Sequence, residues 1–469
     1  MKIPFLSIAI ILIVAASASA QDVQHFKHAE NTLPGVEPEM MRPEYWINLM
    51  DDPDGIVMNA DEIDTFNKQL RSKKVSFPER FGKPDPLEKD FGTTLLKGLI
   101  MNPLKPLDLP ATISGDSLKS WIGYNVNFLN SRDFYDNRNV TYTAEMKREL
   151  IEKMNIGAIP DSITRRYGLI VNHSNSRYFP TDFPGFSETK WELDFFQATG
   201  VLIGSPVTVL HQSKDGDFYF VETEIVRGWI NAKNIAIGDR DYIRSITDSQ
   251  SFLMSASDKI PVYADKEHSI FSRHLYFSAT MPLIGSHKSG YVVIMPYRQQ
   301  DGSLAVMNGF VRPDADIHVG YLPYTKRNVI TQLFKLLNKP YGWGDQDNKR
   351  SCAGTMRVLI RCFGLKTGRH PSFLLSAPDT QTFIDPRLST EEKLVEAAKI
   401  EPFVTMAGSP GHVVLYMGKG LNGKQYFMHQ AGWGYDDGDT HYYVNRTTIN
   451  DVEHVFYDIS KPKVFATYR

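Results

Sequence analysis

The sequence Ser351-Cys352-Ala353-Gly354 opens a predicted helix, and it follows Tyr341-Gly342-Trp343-Gly344 after a short polar loop. Apolar residues then recur at helical spacing, and a glycine stands where the helix should end: Met356, Leu359, Ile360, Phe363 and Gly364. Unpaired backbone N–H groups and the helix dipole at such a start favour a thiolate, which is the nucleophilic form of cysteine. Cys352 is therefore predicted to be a nucleophile.

Two histidines follow in predicted neighbouring strands, and the turn between these strands sets how the histidines face each other. A two-residue Asn422-Gly423 turn would place His412 opposite Trp433. A four-residue loop, residues 419–422, would instead place His412 directly opposite His429. We predict the longer loop, which brings both histidines into one cluster with Cys352.

The chain contains only two cysteines, Cys352 and Cys362, and we predict that both are free thiols. Ten residues of continuous helix rise about 15 Å, whereas the Cα atoms of a disulfide lie within roughly 7 Å. Cys362, between apolar neighbours, is interpreted as a small buried hydrophobic residue.

Length and composition indicate an exported multidomain protein. The chain has 469 residues, of which 42% are hydrophobic, enough for several cores. Lys2, the apolar run 3–14 and Ala18-Ser19-Ala20 have the form of a cleavable secretory signal. No later stretch approaches the roughly 18 apolar residues of a membrane span. The formal net charge of −2 argues against nucleic acid as a partner, and the sequence has no heptad seam that would demand an oligomer, so we expect a monomer.

The fold class predicted is multidomain α+β. After the signal, 1–20, we expect a helical and irregular region, 21–166, with helices that begin at Asn59 and Thr143. Short β-rich runs and turns then predict two small barrels, 167–238 and 239–323. A C-terminal α+β domain, 324–469, begins with a helix capped by Thr325.

These motifs together resemble the NlpC family of bacterial cell-wall cysteine peptidases, in its multidomain form with two bacterial SH3-like domains. Short signatures along the mature chain carry the resemblance: Tyr341-Gly342-Trp343-Gly344, Gly411-His412-Val413-Val414-Leu415-Tyr416, Phe179-Pro180-Thr181-Asp182, Gly228-Trp229-Ile230 and the helical region from Met58-Asn59 to Phe66-Asn67. The resemblance implies SH3-like barrels and a papain-like C-terminal domain, with the cysteine on a helix and the histidines on an antiparallel sheet.

The resemblance also implies roles. Cys352 would be the nucleophile, His412 its base and His429 the group that orients His412. The backbone N–H of Cys352 and the Tyr341 hydroxyl would stabilise the oxyanion. The substrate would be a peptidoglycan stem peptide, cut between D-glutamate and the following diamino acid, without a cofactor.

Substrate contacts are less defined by the sequence. Where the family has Asp-Cys-Ser-Gly, this chain has Ser351 and Ala353 beside the cysteine, so binding of a free stem amine should be weakened. Tyr178 and Asp182 of the first barrel are candidate substrate contacts, with packing and a turn as their structural alternatives. No metal site is predicted, because neither HxxxH nor CxxC spacing accompanies the histidines.

Two alternatives remain open. The changed residues beside Cys352 favour a binding or regulatory protein that keeps the papain-like fold but does not cleave. Within enzymes, an amidase or transpeptidase would use the same thiolate on another acyl group. The two barrels could dock onto the wall, shape the rim of the active site or act as spacers, since fold alone does not fix function.

Overall fold

The computed structural model describes residues 25–28, 30, 32–72, 103–187, 193–384, 388–389, 392, 395–396, 399–409, 411–432, 434–437, 440–451 and 463–469. The predicted signal, 1–20, lies outside these residues. The described α-helices span Pro43–Ile47, Ala60–Ser72, Gly115–Asn130, Ala144–Lys153, Arg240–Thr247, Lys326–Lys335, Cys352–Arg361 and Pro371–Ser376. Short 3-10 helices cover Pro38–Met41, Pro106–Asp108, Ile156–Ala158, Ala232–Asn234 and Trp343–Asn348.

Three of the helices begin where a capping side chain was predicted. The Asn59 side chain accepts from the Glu62 N–H at 3.0 Å, and the Glu62 carboxylate accepts from the Asn59 N–H at 2.7 Å, which is a capping box. Thr143 caps the helix Ala144–Lys153, and Thr325 caps the helix Lys326–Lys335. The helix Gly115–Asn130 was not predicted, because a glycine at its start and scattered polar residues mask its apolar stripe.

Two seven-stranded antiparallel sheets form the middle of the chain. In spatial order, the first sheet contains Ile235–Gly238, Arg166–Ile170, Pro206–Gln212, Phe218–Glu222, Arg227–Asn231, Ser174–Arg177 and Gln197–Val201. The second contains Phe271–Leu275, Ile260–Tyr263, Leu304–Val311, Gly290–Arg298, Thr280–His287, Phe252–Ser255 and Ile317–Val319. A turn at Asp215-Gly216 links two strands of the first sheet, with Gly216 at a φ of +82°.

The C-terminal part is built on a six-stranded antiparallel sheet. Its spatial order is Gln381–Ile384, Lys463–Thr467, Thr405–Ser409, His412–Lys419, Gln425–Ala431 and Arg446–Asp451. Smaller sheets pair His25–His28 and Gly434–Asp437 with Thr440–Tyr443, Ile56–Met58 with Tyr324–Thr325, and Thr112–Ser114 with Ser162–Thr164. The helix Cys352–Arg361 packs against the two strands that carry the histidines.

The N-terminal region, 21–166, contributes to two different cores. Trp46 and Leu70 pack with Leu359 and Leu415 in the core of the C-terminal part. Leu118 and its neighbours on the helix Gly115–Asn130 instead pack with the core of the first barrel. The N-terminal region therefore stabilises both the helix that carries Cys352 and the barrel beside it.

Polar contacts fix both barrels against the C-terminal part. Glu224 of the first barrel lies 3.3 Å from Arg361 and 3.2 Å from Lys366. Asp258 of the second barrel accepts a hydrogen bond from Arg350 at 2.9 Å. The pair of Arg350 and Asp258 is largely buried, the contacts of Glu224 are partly exposed, and both connect the sheets to the part of the chain that carries Cys352.

Candidate active site

Cys352 is the first residue of its helix, and Ser351 caps that helix. The Ser351 hydroxyl accepts from the Gly354 N–H at 3.2 Å. The cysteine is 8% exposed, and its Sγ lies 3.9 Å from the Gly411 carbonyl oxygen, next to His412 in the chain. Both Cys352 and Cys362 are free thiols, as predicted.

The environment of Cys352 differs from the predicted one in its net effect. Burial raises the pKa of the Cys352 thiol above its usual value. The Val413 and Ala353 N–H groups and the positive charge of Arg369 act in the opposite direction without reversing the shift. The Ala353 N–H at the helix start favours the thiolate, as predicted, but desolvation of the charged sulfur outweighs this effect. A base is needed to remove the proton.

His412 and His429 are in direct contact. The distance between His412 Nε2 and His429 Nδ1 is 2.8 Å, and the two rings meet edge to face. His412 is half-buried, whereas His429 is fully buried. Burial lowers the pKa of His429 to about 4, so its ring is neutral at physiological pH.

The hairpin that carries these histidines has neither of the predicted turns. Lys419 pairs with Gln425, which leaves a five-residue loop, and the register shifts by one residue at Met417. Leu415 then pairs with Met428, a register that continues to His412 opposite Ala431. The predicted pairing of His412 with His429 is wrong by two residues. Because side chains alternate with a period of two, the error keeps both histidines on the same face as diagonal neighbours.

Asn450 completes the row of polar groups, and the sequence analysis missed it. It lies on the strand Arg446–Asp451, is 2% exposed, and its Oδ1 is 3.0 Å from His429 Nε2. A single asparagine in an otherwise β-forming segment carries no signal of its own. Only the pairing of this strand with Gln425–Ala431 brings it to His429.

Asp345 is a second residue that sequence reasoning missed. Its Oδ1 accepts from the Ser351 N–H at 3.0 Å and from the Ser351 hydroxyl at 2.7 Å. Its Oδ2 lies 3.4 Å from Arg357 and 3.8 Å from Arg369. Burial acts to raise the pKa of Asp345, but the two arginines and the Ser351 hydrogen bonds lower it below its usual value.

Asp345 thus places a carboxylate against Ser351 from a loop six residues earlier in the chain. Gly354 is required by this arrangement, since a Cβ there would lie 1.9 Å from Asp345 Oδ1. Thr199 of the first barrel joins the network, because its hydroxyl donates to Asp345 at 3.2 Å and accepts from Arg369 at 3.1 Å.

The groups predicted for the oxyanion lie near the helix start. Ser351 and Gly354 use their N–H groups in the contacts described above, and neither contact consumes the N–H of Cys352. The ring of Tyr341 lies against Gly432, where a Cβ would be 2.7 Å from its Cζ. Gly432 directly follows the strand Gln425–Ala431, which carries His429.

The first-barrel candidates take different positions. Tyr178 is 5% exposed within the barrel core, and burial raises the pKa of its phenol to about 12, with Arg369 close enough to oppose the shift. Asp182 is exposed in a bend of the chain. Ser351 is engaged with Asp345, and Ala353 is fully buried.

No group of three or more potential metal ligands occurs among the described residues. In the same part of the chain, no helix is long and apolar enough to cross a membrane.

Comparisons with known proteins agree with this architecture. Residues 184–231 match the SH3 domain of the SH3b1 type. The chain is similar in structure to an NlpC/P60 endopeptidase from Photobacterium damselae subsp. piscicida, with a TM-score of 0.68 and 16% identity over 89% of this chain and 94% of that chain. An NlpC/P60 family protein from Bacillus cereus aligns at 16% identity over 64% of this chain and 99% of that chain, with a TM-score of 0.44. Among curated proteins, none matches this sequence.

The chain therefore has the mixed α/β fold of an NlpC/P60 endopeptidase, and residues 184–231 match an SH3 domain of the SH3b1 type. The family resemblance inferred from the sequence motifs is confirmed at the level of the fold.

Proposed function

We propose that this chain is an exported cysteine endopeptidase that hydrolyses peptidoglycan stem peptides, at the bond between D-glutamate and the following diamino acid. One observation carries the proposal: His412 contacts His429 at 2.8 Å, and the residue before His412 contacts the thiol of Cys352. Thiol catalysis requires a nucleophile close to a base whose ring a third group orients.

The proposed reaction begins with proton transfer. His412 accepts the Cys352 proton, and the sulfur attacks the carbonyl carbon of the scissile amide. The Cys352 N–H, together with the Tyr341 hydroxyl, stabilises the oxyanion. When the C–N bond breaks, His412 returns the proton to the leaving amine, and the acyl group stays on sulfur as a thioester.

Hydrolysis then restores the enzyme. His412 takes a proton from water, the oxygen attacks the thioester carbonyl, and the C–S bond breaks. The acid product leaves, and the proton returns to the Cys352 sulfur. His429 is neutral and buried throughout, so its part is to hold the His412 ring in place and not to carry charge.

The charged side chains near Cys352 affect which stem peptides can bind. Asp345 lies at the helix start beside two arginines, Arg357 and Arg369. The formal charges of these three groups sum to +1. A positive surplus in a largely buried site opposes an ammonium group. We therefore propose that cleavage does not depend on a free amine at the stem N-terminus, and that the first barrel, which touches Asp345 through Thr199, shapes the rim.

The alternative of a non-cleaving wall-binding protein is favoured by the burial of Cys352, which is 8% exposed and has a raised thiol pKa. An enzyme requires that substrate reach this sulfur. The two functions therefore differ in whether the thiol reacts near neutral pH.

The deciding experiment is mass spectrometry of defined muropeptides, with free and with glycan-capped stem N-termini, incubated with wild-type protein. Cys352→Ala should abolish cleavage. Cys362→Ala is the matched control and should retain it, because Cys362 is buried at the other end of the same helix.

Product masses identify the bond. Equal cleavage of free and capped stems would support the charge argument, whereas strict dependence on the free amine would contradict it. If wild-type protein binds wall but cleaves no stem, the peptidase proposal is refuted and the binding protein takes its place. An acyl chain transferred to an added amine would identify a transpeptidase.

A further inference from the structure

His429 lies between two polar partners, and its protonation state limits how it can bond to them. Its Nδ1 faces His412 Nε2 at 2.8 Å, and its Nε2 faces Asn450 Oδ1 at 3.0 Å. Neutral imidazole has one N–H donor and one acceptor nitrogen. The bond on one side of His429 therefore determines the bond on the other side.

The amide oxygen of Asn450 can only accept. It requires the His429 proton on Nε2, so His429 Nδ1 is the acceptor and takes the Nε2 proton of His412. Neutral His412 then carries its lone pair on Nδ1, the nitrogen that must take the thiol proton. If the NH2 group of Asn450 faced His429 instead, every bond would reverse, and His412 Nδ1 would hold a proton and could not act as base.

We propose that Asn450 is a positioning residue, whose amide oxygen fixes the tautomers of His429 and His412 so that His412 can deprotonate Cys352. This inference rests on the proposed thiol chemistry and extends its row of groups to a fourth residue. Asn450 acts on the thiol through the two imidazole rings, from a strand whose side chains are mostly buried.

The test measures the thiol directly, so it needs no substrate. Alkylation of Cys352 by iodoacetamide is followed across pH in the mature full-length protein, with Cys362 as internal reference, since burial raises the pKa of that thiol to about 12. Asn450→Leu has similar volume but no acceptor, and Asn450→Asp keeps an acceptor. Thr448→Val is the matched control, because Thr448 is equally buried on the same strand.

Asn450→Leu should slow alkylation near pH 7 by about 10- to 100-fold, by analogy with the loss of groups that orient metal-binding histidines. The midpoint of its pH profile should also rise towards that of His412→Ala. Asn450→Asp, measured at pH 8, and Thr448→Val should stay within about threefold of wild type. The charged groups that face Cys352, Asp345 and Arg369, are the same in every variant.

Each other outcome is decisive. An unchanged midpoint in Asn450→Leu, even with a lower rate at every pH, indicates a structural role only and overturns the inference. If Asn450→Leu does not fold, Asn450→Asp decides, since a rate as low as that of His412→Ala would also overturn it. The wild-type protein could also cleave no muropeptide while the reactivity of its thiol depends on His412 and Asn450. That result would refute the proposed peptidase function but would support the role assigned to Asn450.

Discussion

Replacing Asp345 by asparagine should destabilise the protein through one charge, with little change in shape. Asp345 has a φ of +58°, a left-handed conformation that asparagine also adopts readily, so the substitution adds no backbone strain. An asparagine oxygen can still accept from Ser351. What is lost is the negative charge that compensates Arg357 and Arg369, whose side chains are 14% and 11% exposed.

Removing one partner of a buried ion pair costs about 3–5 kcal/mol. The contacts here are 3.4 and 3.8 Å and the arginines retain some exposure, so we expect a cost just below this range, about 2–3 kcal/mol. With a urea slope of about 2–3 kcal/mol/M, the unfolding midpoint should fall by roughly 1 M. Tryptophan fluorescence in urea at pH 7 measures it.

Asp347→Asn is the matched control. It lies two residues away, also has a left-handed φ, and bonds only to Asn175 at an exposed site, so its effect should stay within about 0.5 kcal/mol. If the two variants unfold at the same urea concentration, the charge of Asp345 is not stabilising and the reasoning fails.

The effect of Asp345→Asn should also depend on pH. The arginines hold the pKa of folded Asp345 below its unfolded value of 3.8. Its stabilisation is therefore fully present above about pH 4 and is lost as the pH falls through the folded pKa. The gap between wild type and variant should narrow in acid; a gap that is constant with pH would argue against an ionised Asp345.

The remaining predictions concern the barrels, the core and acid stability. Glu224→Gln should lower the urea midpoint at pH 7, because the nearby cations Lys366 and Arg361 outweigh burial and lower the pKa of Glu224 to about 2. An unchanged midpoint would mean that the ion pairs of Glu224 do not stabilise the protein. Trp46→Ala should cost about 3–5 kcal/mol, since this side chain is fully buried between the N-terminal region and the C-terminal core, and a loss under 1 kcal/mol would exclude that packing. Burial lowers the pKa values of His173 and His429 to about 4 and that of His370 to about 3. Below pH 6.5 the unfolded chain therefore binds protons that the folded chain does not, and the free energy of unfolding should fall as the pH decreases towards 4. A midpoint that is flat between pH 7 and pH 5 would contradict this.

Local features were predictable from the sequence because their causes are local. The capping box at Asn59 and the caps at Thr143 and Thr325 use side chains within three residues of the groups they satisfy. The start of the helix at Cys352 is of the same kind, with Ser351 bonding to Gly354. Periodicity likewise identified the histidine hairpin and some of the strands in the two seven-stranded sheets.

The pairing of the histidines was predictable only in part. The predicted and the observed registers differ by two residues, so both place His412 and His429 on the same face, whereas a slip of one residue would have separated them. The register itself depends on the extra residue at Met417 and on the turn around Gly418 and Gly423, whose φ values are +95° and +78°. Several glycines in one turn allow several registers, so the choice is made by packing in the sheet.

The sequence by itself determined that Cys352 opens a helix and that His412 and His429 lie in neighbouring strands, because a capping hydrogen bond and the apolar pattern over a few residues dictate both. Only the tertiary structure decided what surrounds them. Asn450 reaches His429 across a strand pair 21 residues apart in sequence, and Asp345 reaches Thr199 across 146 residues. Burial, which sets the pKa values of Cys352 and His429, is likewise a property of the assembled domains and of no single segment.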